Sequence, residues 1–210
     1  MLRRKTLSAG HKFARQLRDR FFPDSEILTV PRIDSAPAGQ CYRNARLAQM
    51  QVGVGVQLGW LLCYFPGHFL EALHHAVVVA RDGRLGDITG SAFPGADYKS
   101  IAFIIDGDTP FGKLDPMLPS KFIQLDAEPA TTDYIRLTVK RQELARSMND
   151  LASRYFPMRE GAPGLFGFQI DPTSPAASQL HALKRERDFV SERRNRYMQR
   201  MSIGNFRTLR

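Results

Sequence analysis

Four side chains in two stretches of the sequence could form a thiol-based catalytic site. Cys41 follows a Gly-Gln pair, the adjacent His74 and His75 lie 33 and 34 residues later, and Asp87 comes next. A cysteine attacks a carbonyl carbon as its thiolate, which the first turn of a helix favours through its free backbone N–H groups. The thiol also needs a histidine as base, and a carboxylate that orients this histidine and balances its charge.

The elements predicted around these residues suit this chemistry. Apolar residues recur at helical spacing over 41–51, which predicts a short helix that begins at the cysteine. An Asp-Gly pair within 81-RDGR-84 indicates a hairpin, so a histidine and the later aspartate are expected on adjacent strands. Three segments rich in β-branched and aromatic residues predict these strands, namely 54–65, 69–80 and 85–89.

Four short motifs, in this order, resemble those of a known enzyme superfamily. They are 41-CYRN-44, 59-GW-60, 71-EALHHAV-77 and 87-DIT-89. The pattern is similar to the transglutaminase-like branch of the papain-like thiol enzymes. It is most similar to a group of poorly characterised bacterial and phage proteins that carry Cys-x-x-Asn, Gly-Trp, Glu-Ala-x-x-His-Ala-Val and Asp-Ile-Thr. The resemblance covers roughly residues 39 to 90, and it implies a triad of Cys41, His75 and Asp87.

The hairpin register leaves His74 as an alternative base. His74 and His75 point to opposite faces, because side chains alternate along a strand. A two-residue Asp-Gly turn pairs Val78 with Asp87, which puts Asp87 on the face of His74. A longer loop or a bulge near a glycine shifts the register by one residue and returns Asp87 to the face of His75. We expect the shifted register, since the resemblance selects the histidine directly before Ala-Val.

Three further polar or aromatic residues are predicted near the thiol. Gln40 could donate a hydrogen bond to an oxyanion, as a glutamine does in papain-like enzymes. Asn44, one helical turn after Cys41, could orient a substrate or make a local hydrogen bond. Trp60 is expected in the core or in a wall of the cleft.

Other chemically active residue types are predicted to be structural. Cys63 lies in an apolar run and is expected to be a small buried hydrophobe. Glu71, if buried, requires a cationic partner, for which Arg43 and Arg46 are the candidates. No metal or other cofactor is expected, because no compact zinc-ligand spacing occurs among the suitable residues. These residues are Cys41, Cys63, His68, His74 and His75.

Positive charge is concentrated at the two ends of the chain. The formal net charge of the 210 residues is +9, yet residues 1–20 and 184–210 each carry +6, so the middle is acidic. The segment 176–202 is predicted to be a basic helix, in which Arg193, Arg194 and Arg196 could contact phosphates. This pattern gives the alternative function, an inactive thiol-enzyme fold that binds nucleic acid or another polyanion.

Together these patterns predict an α+β fold in which an antiparallel sheet packs against the helix that bears Cys41, with basic N- and C-terminal helices. A domain is expected over 1–175 and a basic helical extension over 176–210. Within the domain we predict a motif core at 39–126, an N-terminal helix at 9–22, a helix at 138–156, and loops at 31–40 and 157–175.

The predicted function is thiol-dependent acyl transfer on a peptide or amide substrate, through an acyl-enzyme. It could be that of an amidase or peptidase, or it could be transglutaminase-like. Two cysteines without a secretory leader, and the lack of an apolar run of about 20 residues, predict a cytoplasmic protein that does not enter membranes.

Overall fold

The structure, a computed structural model, describes residues 4–90 and 99–204 as a mixed α+β fold. Its helices are α1 (Lys12–Phe21), α2 (Cys41–Val52), α3 (Pro129–Tyr155) and α4 (Pro175–Gly204). Its strands are β1 (Lys5–Thr6), β2 (Leu28–Ala36), β3 (Gly55–Phe65), β4 (Phe69–Val79), β5 (Leu85–Thr89), β6 (Ser100–Ile105), β7 (Lys121–Gln124), β8 (Met158–Ala162) and β9 (Leu165–Phe168). Within this described part, no helix is both long enough and apolar enough to cross a membrane.

Five strands close into a barrel in the order β3-β6-β2-β5-β4, with β4 hydrogen-bonded back to β3. The long hairpin of β3 and β4 pairs antiparallel along its whole length, and most other pairs are antiparallel too. The pair of β2 with β5 is parallel, however, which corrects the expected antiparallel sheet. β1 and β7 extend the barrel wall at the outer edges of β3 and β4.

The strand that closes the barrel, β2, lies partly in a segment predicted as a loop. It pairs with β6 through Pro31 and with β5 from Arg32 onward, so the expected loop over 31–40 is wrong up to Ala36. Proline cannot donate to a strand ladder, and this one stands where the strand changes neighbours. The Pro-, Ala- and Ser-rich composition resembles a loop, and only pairing with distant strands makes it a strand.

Two further segments differ from the sequence predictions. The expected loop over 157–175 contains the hairpin of β8 and β9, whose strands form a separate two-stranded sheet. Helix α3 begins at Pro129 instead of residue 138 and carries proline in its first turn, where the missing N–H is tolerated.

The hairpin between β4 and β5 has the register expected for His75. Val78 pairs with Gly86 instead of Asp87, because Ala80 still hydrogen-bonds to Arg84 beyond the ends of the strands (2.9 Å) and the three residues 81–83 form the loop. Gly83 provides the left-handed backbone that this loop needs, with a φ of 82°. The shift places Asp87 on the inner face of the barrel, which is also the face of His75.

The two faces of the barrel wall have different packing partners. Inside, aliphatic and aromatic side chains fill the barrel: Val30, Leu61, Val77, Ile101 and Phe103, together with the Cys63 thiol. Outside, α1 covers a surface that includes Trp60, and α2 covers one that includes Ala76 and Val78. Each fully buried aliphatic side chain contributes on the order of 2 kcal/mol. The helices are therefore held on the barrel by ordinary apolar burial.

Helix α4 packs along α3, and the pair contacts the tip of the β3–β4 hairpin. Leu137 and Leu144 of α3 bury Val190 of α4. Tyr134 of α3 and Met201 of α4 are buried in one cluster with aromatic side chains of the hairpin. The separation of 1–175 from an extension at 176–210 stays a prediction, and residues 205–210 lie outside the described part of the chain.

Candidate functional site

The loop before α2 delivers Cys41 to the first position of the helix. Gly39 adopts a φ of 73°, which favours glycine, and Gln40 is the N-cap residue without a side-chain capping bond. In the described part of the chain, the Gln40 side chain therefore leaves the first-turn N–H groups available to an anion. Asn44 holds this arrangement, since its amide nitrogen donates to the Pro37 carbonyl (2.7 Å) and to the Thr89 hydroxyl (3.3 Å).

The start of α2 lies beside a gap in the strand pairing of β4. On the edge of β4 that faces β5 and β7, the described pairings cover Phe69–Ala72 and then Val78–Val79. The two histidines lie between these paired segments. The contact of Asn44 with β5 brings α2 to this place, and the Tyr42 hydroxyl hydrogen-bonds to His74 of β4. Cys41, which lies on a helix outside the barrel, can thus reach a histidine that points inside.

Cys41, His75 and Asp87 are brought together at this gap. The Cys41 thiol is within hydrogen-bonding reach of the His75 imidazole. The Nε2–H group of His75 donates to Oδ1 of Asp87 at 3.1 Å, which leaves Nδ1 for the thiol. Asp87 is fully buried, and its Oδ1 also accepts from the backbone N–H of Thr89 (3.0 Å). This bond fixes the carboxylate against the histidine.

The charges in this group stabilise a protonated His75. Burial opposes the charged imidazolium, but the charges of Cys41 and Asp87 and the hydrogen bonds to both outweigh it and raise the pKa of His75 to about 10. Burial likewise acts to raise the pKa of Asp87, but His75, the Thr89 N–H and the Arg32 guanidinium together lower it. Arg32 Nε lies 3.5 Å from Oδ2 of Asp87. The His75 imidazolium therefore lies between two groups that can accept its protons, Cys41 and Asp87.

His74 belongs to a second network on the opposite face. Its Nε2–H donates to Oδ2 of Asp106 (3.0 Å), and its Nδ1 accepts from the Tyr42 hydroxyl (2.8 Å). Burial lowers the pKa of His74, with Asp106 opposing the change, so this imidazole is neutral near pH 7. Both ring nitrogens are occupied. The structure therefore places His75 and not His74 against the Cys41 thiol.

The thiol faces a cavity of about 690 Å³ that extends into the barrel. Leu61, Cys63 and Leu73 line the part inside the barrel, and Gln40, Cys41 and Tyr42 line the mouth. The loop before β7 and the β8–β9 hairpin also line the cavity, through Asp115, Met117 and Leu165. The cavity is large enough for a small peptide or an amide of similar size.

Arg46 connects these segments to each other, and no local pattern in the sequence indicates this role. Its guanidinium donates to the carbonyls of Gly112 (3.2 Å) and Gly164 (2.8 Å) and pairs with Asp115 (2.8 Å). Three segments meet at this side chain: α2, the loop before β7, and the β8–β9 hairpin. Arg46, which is 6% exposed, therefore connects the two outer segments to the helix that carries Cys41.

The three further residues predicted near the thiol, Gln40, Asn44 and Trp60, lie in different parts of the structure. Gln40 lines the cavity, and its side-chain oxygen accepts from Arg43 (2.9 Å), so its amide nitrogen remains a donor. Asn44 positions the loop before Cys41 as described above. Trp60 packs on the outside of the barrel, with its ring edge against His74 at 4.9 Å between centroids. Of the three, Gln40 alone lines the cavity in the described residues.

The residues expected to be structural are paired or buried. Glu71 forms an ion pair with Arg4 at 2.9 Å, so the expected partners Arg43 and Arg46 are wrong. Arg4 belongs to the N-terminal segment, which the barrel holds through β1, and no local spacing indicates this contact. Cys63 is a buried free thiol, and burial raises its pKa to about 12, slightly offset by Arg4. In addition, His68 Nδ1 lies 2.5 Å from an oxygen of Asp126.

Nothing in the described residues groups three or more His, Cys, Asp or Glu side chains in a way that could hold a metal ion. The Cys-His-Asp group has instead the composition and contacts that suit a nucleophile, a base and an orienting carboxylate. In comparisons with known proteins, the chain matches no family model, no curated protein and no solved structure.

Proposed function

We propose that this protein is a thiol-dependent acyl-transfer enzyme, an amidase or peptidase or a transglutaminase-like enzyme. One observation carries the proposal: a cysteine at an uncapped helix start lies within hydrogen-bonding reach of a histidine whose other nitrogen binds a buried carboxylate. These are Cys41 as nucleophile, His75 as base and acid, and Asp87 as the orienting carboxylate. The cavity beside them would admit a peptide or amide substrate.

The proposed reaction has two steps. The Cys41 thiolate attacks the carbonyl carbon, a C–S bond forms, and the first-turn N–H groups of α2 and the Gln40 amide stabilise the oxyanion. When the oxyanion collapses, the C–N bond breaks and the His75 imidazolium gives its proton to the leaving amine. His75 then takes a proton from water or from an acceptor amine, which attacks the acyl-enzyme and releases Cys41 as the thiolate.

The likeness to the papain-like and transglutaminase-like folds is part of the same proposal. It is supported by the order of the elements: a helix that begins at the cysteine, a strand with the histidine, and a hairpin-connected strand with the aspartate. A helix packed on a barrel whose strands are mostly antiparallel is consistent with it.

The rate of alkylation by iodoacetamide tests the proposal. We expect Cys41 to react at neutral pH at least about tenfold faster than a free cysteine derivative, because His75 lies within reach of the thiol and can take its proton. The products are located by peptide mass spectrometry, and Cys63 serves as the buried thiol within the same chain. His75→Gln should remove the excess rate, whereas the matched variant His74→Gln should retain most of it. Equal, slow alkylation of both cysteines contradicts the proposal.

The polyanion alternative stays a prediction, and the structure lends it little support. Arg196 pairs with Glu192 at 2.5 Å, and Arg194 lies over the Tyr134 ring at 5.9 Å. Arg193 lies over the exposed ring of Phe189 at 5.8 Å. The three arginines therefore already have contacts on α3 or α4. Salt-sensitive binding to DNA or RNA that is lost in the triple Arg→Gln variant would revive the alternative.

A further inference from the structure

The charges that line the cavity are mostly positive. Four guanidinium groups face it, from Arg4, Arg32, Arg43 and Arg141, against a single carboxylate among the described lining residues, that of Asp115. The Asp115 carboxylate is itself neutralised by an ion pair with Arg46 of α2. The middle of the chain is acidic overall, so the positive cavity is a local arrangement and does not reflect average composition.

Two of the four arginines have acidic partners and two do not. Arg4 pairs with buried Glu71, and Arg32 pairs with Asp87. By contrast, Arg43 donates to the neutral side chain of Gln40 (2.9 Å), and Arg141 donates to the hydroxyl of Ser191 (3.1 Å). Neither forms an ion pair with a described carboxylate. Among the described residues, two positive charges at the wall of the cavity therefore have no compensating negative charge.

The surroundings of these two arginines increase the need for an anion. Burial lowers the pKa of Arg141, and the neighbouring guanidinium groups of Arg194 and Arg187 lower it further, so the protonated side chain stands in a repulsive field. The Nε of Arg43 and that of Arg4 are buried and lack a hydrogen-bond partner in the described residues. Buried donors that lack partners are uncommon in proteins, and a bound ligand is one explanation for them.

We propose that the substrate carries an anionic group, a carboxylate or a phosphate, whose charge is balanced within the cavity by Arg43 and Arg141. This inference rests on the proposed function, because Cys41 would then act on a carbonyl of the same molecule. Guanidinium groups suit both anions, since their planar donor pairs match the spacing of carboxylate and phosphate oxygens. The substrate class is thus an anionic amide or thioester, and neutral amides of equal size should react more slowly.

A series of bromoacetyl compounds tests this inference through the alkylation of Cys41. In each, the thiolate forms a C–S bond and bromide leaves, so no catalytic turnover is needed. The probes are bromoacetyl-glycine, bromoacetyl-γ-aminobutyrate and bromoacetyl-6-aminohexanoate, each compared with its neutral methyl ester. Bromoacetyl-aminoethylphosphonate distinguishes phosphate from carboxylate. N-Acetylcysteine gives the intrinsic rate ratio of acid to ester.

We expect at least one acid, or the phosphonate, to alkylate Cys41 on the order of tenfold faster than its ester, after the acid-to-ester rate ratio is divided by that of N-acetylcysteine. One charge about 10 Å away produces an effect of this size. Arg43→Gln and Arg141→Gln should each lower that ratio several-fold. The matched control is Arg146→Gln, which removes the same charge from an exposed position of α3 outside the cavity lining. This control should leave the ratio unchanged.

The possible failures are distinguishable. Fast alkylation of Cys41 without a preference for any anionic probe overturns this inference and leaves the proposed function standing. A preference that neither Arg→Gln variant reduces overturns it as well. Slow alkylation by acids and esters alike, no faster than that of N-acetylcysteine, overturns the proposed function and this inference with it. Arg43 and Arg141 are both partly exposed, so at least one variant should fold, which a thermal melt verifies.

Discussion

Replacing Asp87 by asparagine tests whether the His75 network supports the reactivity of Cys41. The substitution keeps the shape of the side chain, and the remaining oxygen can still accept from His75 and from the Thr89 N–H. It removes the negative charge that faces both the imidazolium and Arg32. The alkylation rate of Cys41 at neutral pH should fall, because the imidazolium that pairs with the thiolate becomes less stable.

The size of the effect follows from the contacts of Asp87. A hydrogen bond to a charged group contributes about 1.5–3 kcal/mol and a neutral one about 0.5–1.5 kcal/mol, so the loss is about 1–2 kcal/mol. At 1.4 kcal/mol for each tenfold change, the rate should fall about 5- to 30-fold. The free energy of unfolding should fall by about 3 kcal/mol, because a fully buried carboxylate that pairs with Arg32 is lost.

The stability effect should also depend on pH in a defined direction. The pKa of Asp87 is lowered in the folded protein, so its charge stabilises the fold above the pKa of the unfolded chain, near 3.9, and this stabilisation is lost as the pH falls through the lower folded value. Urea unfolding of the wild type and Asp87→Asn should therefore differ at pH 7 and converge in acid.

Asp106→Asn is the matched control, because Asp106 makes the corresponding bond to the other histidine. Both variants are measured by iodoacetamide alkylation of Cys41 and by urea unfolding at several pH values. Asp106→Asn should change the alkylation rate by less than about threefold, since His74 does not face the thiol. A rate for Asp87→Asn within twofold of the wild type, or a larger loss in Asp106→Asn, would refute the assignment of His75.

Four further predictions concern single side chains in the site and in the hairpin beside it. In Cys41→Ala, the pKa of His75 should drop below its value of about 10, because the cysteine charge is a major cause of the increase; ¹⁵N NMR titration measures it, and an unchanged midpoint would count against the ion pair. In the wild type, the charged His75 stabilises the fold fully below the pKa of the unfolded chain, near 6.5, and this stabilisation is lost as the pH rises through about 10. The free energy of unfolding should therefore decrease over this pH range. It should decrease less in Cys41→Ala. Tyr42→Phe should cost about 1–3 kcal/mol in urea unfolding, because it leaves a buried imidazole nitrogen without its donor; a loss below 0.5 kcal/mol would contradict this. Gly83→Ala should cost about 1 kcal/mol, since its φ of 82° is unfavourable for alanine, and a more stable variant would contradict the three-residue loop.

Local patterns in the sequence predicted much of the architecture around the site. The helical period beginning at Cys41 matches α2, and the β-branched segments match β3, β4 and β5 closely. These signals are local, because a helix or strand repeats its buried side chains within a few residues. The register between β4 and β5 depends on the length of the loop between them, because one residue more or less in a hairpin turns every following side chain to the other face of the sheet.

Contacts between distant parts of the chain were not predictable in the same way. Arg4 reaches Glu71 on β4, and Arg46 connects two loops more than sixty residues away. A charged side chain in the sequence shows that a partner is needed if it is buried, but not which one, because many arginines satisfy the same requirement. The second network, through Tyr42 and Asp106, is of this kind.

The sequence by itself determined the chemical groups and their local settings: a thiol at a helix start, two histidines on opposite faces of a strand, and an aspartate on the next strand. The tertiary structure decided which histidine meets the thiol. Closure of the barrel through β2, the three-residue loop at Gly83, and the gap in pairing beside β4 together bring Cys41 to His75. The physical reason is that side-chain facing is a local property, whereas register, closure and burial depend on strands far apart in the chain.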